Sequence, residues 1–181
     1  MPHVSPRPPR RAAPSRGTSA RRPQPNLRLL LVSEPLGAGL GAGAAARWLA
    51  RGLQEGGLDE PDVMALPRGL GAGPELQELL EHERFAPRMA AARALLIAAA
   101  RLHGGMLQDT AAFELATRAR QGGVPSYAVS ADNGLDSFQE RILDLQLVLR
   151  AAAPRSLLAA GRTLAREVLA GLGQAGPGSR A

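Results

Sequence analysis

Residues 33–43, SEPLGAGLGAG, follow the apolar run LRLLLV and precede the helix-like stretch AAARWLARGL. A glycine-rich turn between a strand and a helix is where backbone N–H groups converge and can hold phosphate. Within it, GAGLGA at 37–42 has the spacing of the dinucleotide fingerprint, with alanine in the last place. Two departures weaken that match. The residues SEPL intervene between strand and first glycine, and the next strand ends in Leu66-Pro67-Arg68 without an acid to hold a ribose. Arg68 offers a partner for a 2′-phosphate instead, so an NADP-binding or other small-ligand protein is one alternative reading. A Walker A loop is excluded, because it needs a lysine and all 22 basic side chains are arginine. The chain has no cysteine, which excludes disulfides, thiolate metal sites and a cysteine nucleophile. His3, His82 and His103 stand at no ligand-like spacing, so no metal site is expected.

These loops need a frame. The runs LRLLLV, DVMALP, ARALLIAA, VPSYAVS and LDLQLVL read as five short, largely buried strands. Between them lie helical segments: Ala42 to Gln54, PELQELLEHER, MLQDTAAFELATRARQGG, the weaker GLDSFQERI, and APRSLLAAGRTLAREVLAGLG. The last has an apolar stripe at Leu158, Ala165, Val168, Leu169 and Leu172. Alternating strands and helices predict an α/β fold in three layers, a mostly parallel sheet of about five strands with helices on both faces, Rossmann-like. Ligands in such sheets sit at the carboxyl ends of the strands. The loops there are SEPLGAGLGAG, RGLGAGP, ARLHGG, SADNG and RAAAP.

Charge separates the tail from the rest. Six arginines fall before residue 27, where there is no acid, and the remainder carries sixteen arginines against sixteen acids. The net charge of +6 therefore belongs to residues 1–26, an Arg/Pro-rich tail whose composition predicts disorder. A solvated extension, or a start placed upstream of the true one, accounts for the tail better than nucleic-acid binding does, since no aromatic platform accompanies the arginines. Residues 27–173 are expected to form one α/β domain and 174–181 a flexible end. No apolar run reaches the roughly 20 residues that span a bilayer, and no secretory signal is apparent, so the expected setting is cytoplasmic, without a membrane partner.

Several of these loops resemble, in order, segments of the bacterial glycerate kinase family. The family's opening APDSFKGSLSA is similar to VSEPLGAGLGA, with Glu34 on its Asp, Pro35 on its Ser and Gly37 on its Lys. Its LPMADGGEGT is similar to LPRGLGAGPE, with Leu70 on the Asp. Its GEGRLDGQSLQGKAP resembles AARLHGGMLQDTAA: Arg101, Leu102, Gly104, Leu107, Gln108 and Ala111 match, His103 falls on the Asp, Asp109 on a Gly and Thr110 on the second Lys. ATRARQGGVPSYAVSA and LDLQLVL continue the likeness, which covers residues 28–80 and 93–150. Family members are much longer, with a second domain inserted where this chain has only ELLEHERFAPRMAAARA.

The resemblance implies ATP-dependent phosphorylation of glycerate, with ATP and Mg as cofactors. It also implies impairment, because both motif lysines and the second domain are missing. Phosphoryl transfer rests on cations that gather phosphate oxygens and on alignment of both substrates. A pseudoenzyme that retains a binding or regulatory role is therefore the leading expectation. A small hydroxy-acid kinase completed by a partner or a homodimer is the alternative. Glu34 and His103 are the candidate catalytic residues, as a carboxylate and a base. Ser33, Gly37, Gly39, Arg101, Gly104 and Gly105 are the candidate ligand-binding residues, for a small hydroxy acid or a nucleotide, with Arg101 as a bidentate clamp. Taken singly, Glu34 also reads as a loop-surface acid, Arg101 as a solvent-facing strand end and His103 as a turn residue.

Overall fold

The computed structural model describes residues 27–36 and 39–174. Five strands, β1 (Leu30–Ser33), β2 (Asp62–Ala65), β3 (Leu95–His103), β4 (Ser126–Gly134) and β5 (Leu145–Arg150), form one sheet in the order β2-β1-β3-β4-β5. Every neighbouring pair is parallel. This is a doubly wound α/β sheet of Rossmann-like type, with its switch point between β1 and β3. The helices are α1 (Ala42–Glu55), α2 (Pro74–His82), α3 (Phe85–Ala91), α4 (Ala111–Gln121), α5 (Ser137–Ile142) and α6 (Pro154–Gln174).

Alternation along β1 assigns the two cores. Leu30 and Val32 join Met64, Phe85, Ile97 and Leu115 on the face covered by α2, α3 and α4. Leu29 and Leu31 join Leu49, Leu53, Leu96, Leu157 and Leu164 on the face covered by α1 and α6. Because both faces are covered, β1 is apolar without a polar alternate, as parallel strands generally are.

Several features depart from the expectations. The interval ELLEHERFAPRMAAARA holds a further helix, α3, entered through Arg84 at φ 53. Pro87 falls within its first turn, where its missing N–H costs no helical bond. In addition, ARLH and SADN are strand rather than loop. β3 and β4 run on past the apolar core and pair Arg101 with Asp132, Leu102 with Asn133 and His103 with Gly134. Leu102, 1% exposed, anchors that extension. Helix α6 continues to Gln174, just past the expected boundary. The tail 1–26 and residues 175–181 lie outside the described residues, and no helix among those described is long and apolar enough to cross a membrane.

The β2 edge is guarded by Arg88 on α3. Its guanidinium binds Asp62 through two bonds, of 2.9 and 2.8 Å, and donates to the Val63 carbonyl at 2.9 Å. It also reaches the backbone and carboxylate of Glu83, each at 3.2 Å. The Arg88 hydrogen bonds hold the Asp62 carboxyl below the usual carboxylate range. Asp62 remains about a third exposed, so solvent screening keeps the gain small. Arg88→Met is expected to lower stability by about 1–2 kcal/mol at neutral pH, measurable by thermal melting. A lowered acid stabilises above its unfolded pKa and loses that contribution as pH falls through the folded one. The deficit of the variant should therefore shrink as Asp62 becomes protonated, below about pH 4.

Candidate functional site

A cleft of about 740 Å3 opens at the carboxyl ends of β1 to β4. Glu34 enters it from the end of β1, Arg68 from the loop after β2, Arg101 from β3 and Asp132 from β4, with Asp109 and Thr110 completing the wall. The β2 loop is held by a turn at Gly69, whose φ of 76° favours glycine, and by an antiparallel bridge from Gly71 to Thr110. The Ala72 amide adds a bond to the Asp109 carbonyl at 3.0 Å. Thr110 is committed as the N-cap of α4, its hydroxyl accepting from the Phe113 amide at 3.2 Å.

Glu34 is not a loop-surface acid. Its amide donates to the Ala98 carbonyl at 2.8 Å, and its carboxylate accepts from the Ala100 amide at 3.3 Å. The side chain is thus folded back over the end of β3. Burial pushes its carboxyl above the usual range, and the single amide bond only partly offsets this. An acid raised in the folded state disfavours folding while it is ionised, and the penalty is relieved as pH falls through the raised value. Glu34→Gln is therefore expected to raise the melting temperature at pH 7. The gain should vanish in acid, where wild type is protonated in both states, and melts from pH 4 to 8 would show it.

Arg101 and His103 alternate with buried Leu102, so both project from the exposed face of β3. His103 Nε2 lies 2.9 Å from Asp132 Oδ2, with both side chains about half exposed. Asp132 is the cross-strand partner of Arg101, yet its carboxylate is turned to the imidazole. Among the described residues, no side-chain hydrogen bond or ion pair occupies Arg101. Arg101 is thereby left as a cation in the cleft, and His103 is oriented by a carboxylate, an arrangement suited to moving a proton.

The other candidates are placed elsewhere. Ser33 is fully buried and its hydroxyl donates to the Glu34 carbonyl at 3.0 Å, so it supports the backbone and does not face the cleft. Gly37 lies outside the described residues. Gly39 is exposed but does not line the cleft. The chain after Glu34 turns inward to bury Leu36, whose amide donates to the Leu40 carbonyl at 2.8 Å, and α1 starts only at Ala42. Gly104 opens a 3-10 helix (Gly104–Asp109) that also contains Gly105. A Cβ at Gly104 would stand 1.8 Å from the Gln139 amide nitrogen, so a larger residue there must displace that side chain. That amide belongs to a capping box with Asp136 at the start of α5, which limits its freedom to move.

Sequence reading did not single out Asp132 or include Arg68, Asp109 and Thr110 among the site residues. For Asp132 the available signal was SADNG, an acid and a glycine directly after an apolar strand. The sequence matches no protein-family model, and none of the curated proteins is significantly similar to it.

Proposed function

We propose that this chain is a shortened, divergent glycerate kinase-like domain that has kept a site for a small anionic hydroxy acid, with phosphoryl transfer lost or impaired. The observation that carries this reading is the convergence of Glu34 and Arg101 on one cleft, from two separate segments that resemble the family. Arg101, with Arg68 nearby, supplies positive charge for a carboxylate, and the Glu34 carboxyl can bond a hydroxyl. Asp132, beside Arg101 on the neighbouring strand and turned to His103, adds a polar wall.

The donor set does not fit Mg·ATP. There is no lysine to gather phosphate oxygens, and glycine stands where the resembling loop carries one. Among the described residues no group of three His, Asp or Glu side chains is placed to hold a metal. None of residues 39–43 lines the cleft, so among the described residues the GAGLGA stretch on which the NADP reading rested contributes nothing to it.

The test is a thermal-shift series with D-glycerate, Mg·ATP and NADPH, followed by an ADP-release assay. A shift with D-glycerate, without glycerate-dependent ADP release, is the expected result. Ligand at about 100 times its dissociation constant stabilises by about 2.7 kcal/mol, well within reach of the method. Glycerate-dependent ADP release would restore the kinase alternative. A shift with NADPH and none with glycerate would overturn the reading.

A further inference from the structure

A hollow of about 400 Å3 opens at the amino ends of β1 and β2, at the other end of the sheet from the cleft. Arg28, just before β1, and Asp62, the first residue of β2, line it from the sheet. The turn between α2 and α3 adds Glu83 and Arg84, and α3 adds Arg88 and an apolar wall of Pro87, Ala91 and the following Ala92. Three arginines there stand against two acids. Arg88 is saturated, since its five N–H groups go to Asp62, to Glu83 and to the Val63 carbonyl. It thereby holds both acids, and the surplus positive charge lies with Arg28 and Arg84. Arg84 is the odd residue. It follows Glu83, the C-cap of α2, and stands at φ 53 and ψ 45, in the left-handed region where helices commonly close on glycine. Glycine would take that angle without a Cβ penalty, yet the position carries a long cation. Its exposed guanidinium makes no hydrogen bond or ion pair among the described residues, so no contact within the fold explains arginine there. A left-handed non-glycine residue beside a hollow is the kind of strain that binding sites retain.

We propose that this hollow binds a small monocarboxylate with an apolar body, the carboxylate on Arg84 and the body against Pro87, Ala91 and Ala92. One surplus charge matches one carboxylate, whereas a dianion would also face Asp62 and Glu83. The planar guanidinium suits a carboxylate through two parallel bonds. The volume is that of a small-molecule site, and the apolar wall lets a hydrocarbon body leave water. Neither Glu34 nor Arg101 lines the hollow, so it stands or falls apart from the hydroxy-acid reading.

Titration of the isotope-labelled full chain with hexanoate, followed by amide chemical shifts, tests the site. Saturable shifts are expected at Arg84, Arg88, Ala91 and Ala92, with the Glu34 and Arg101 amides unmoved. Hexanol has the body without the charge, and inorganic phosphate the charge without the body. Each should bind at least about tenfold more weakly than hexanoate. Arg84→Gly should raise the hexanoate dissociation constant about tenfold or more, the loss of a charge-assisted bond. It should melt no lower than wild type, because glycine suits the left-handed angle. Arg84→Gln removes the charge at the native angle and should lose as much, so the result does not hang on the glycine variant folding. The proposal is overturned if hexanoate moves none of the four amides saturably or moves those of Glu34 and Arg101 instead. Phosphate or hexanol binding as tightly as hexanoate overturns it too, as does a folded Arg84 variant with wild-type affinity.

Discussion

Gly161→Val is expected to abolish the cooperatively folded state, and Gly161→Ala to lower stability by about 3 kcal/mol or more. The cause is backbone against backbone. A Cβ at Gly161 on α6 would stand 2.6 Å from the Leu49 carbonyl and 2.8 Å from the Gly52 Cα of α1. A Cβ at Gly52 would in turn meet the Leu158 carbonyl at 2.3 Å. No side chain can swing aside, so the two helices must separate. That separation loosens Leu49, Leu53, Leu157 and Leu164, the layer that covers one face of the sheet. At about 2–4 °C per kcal/mol for a chain of this size, the alanine variant should melt roughly 6–12 °C lower. Gly171→Ala on the same helix is the control, because open space surrounds that position. Replacing a helical glycine there should raise stability by about 0.5–1 kcal/mol. A gain at 161 equal to that at 171 would show that helix propensity and not the crossing governs both.

What the sequence made legible was burial and its period. Runs such as LLVS and LLIAAA have no polar alternate, and only a sheet covered on both faces accounts for them. The stripe read on α6 is only partly right: Ala165 and Val168 are buried and Leu169 packs beside them, but Leu157, Ala160 and Leu164, not Leu158 and Leu172, complete the buried side. Where polar residues take part in regular structure, that signal fails. The ends of β3 and β4 carry Arg101, His103, Asp132 and Asn133, and read as loops because their side chains face solvent or one another. Helix α3 was hidden by Pro87, although proline in a first turn is harmless.

The site was legible only in part. Glu34 and Arg101 were reached through the segments that resemble the family; taken singly, each read as an ordinary surface charge. Asp132 takes its meaning from His103, 29 residues away, and only the pairing of β3 with β4 puts them in reach. Gly104 was reached through the segment that resembles the family, and the structure adds a packing reason for glycine there, the Gln139 amide against it. Ser33 reads as a hydroxyl at a loop and proves to be the last core residue of β1.

Arg101→Ala is expected to weaken D-glycerate binding by about 10- to 100-fold, the loss of a charge-assisted bond to an anion, while the melting point of the free protein stays nearly unchanged. The second half follows because Arg101 is exposed and holds no partner among the described residues, so nothing in the fold depends on it. Arg101→Lys keeps the charge but not the planar fork and should fall between the two. Asp132→Asn acts in the opposite direction. It removes the negative charge directly across from Arg101, so an anionic ligand should bind severalfold more tightly, and it releases His103 from its carboxylate. Glu34 adds a pH dependence with a definite sign. Its carboxyl is raised by burial, so moderate acid neutralises it sooner than an exposed glutamate, and removes a repulsion felt by an ionised ligand. Affinity should therefore climb in wild type as pH falls from neutral through the raised Glu34 value, and the climb should be absent in Glu34→Gln. Calorimetric titration of wild type and the four variants at two pH values reads all of these effects. An affinity indifferent to Arg101 would place any hydroxy-acid site outside this cleft and remove the basis of the functional reading.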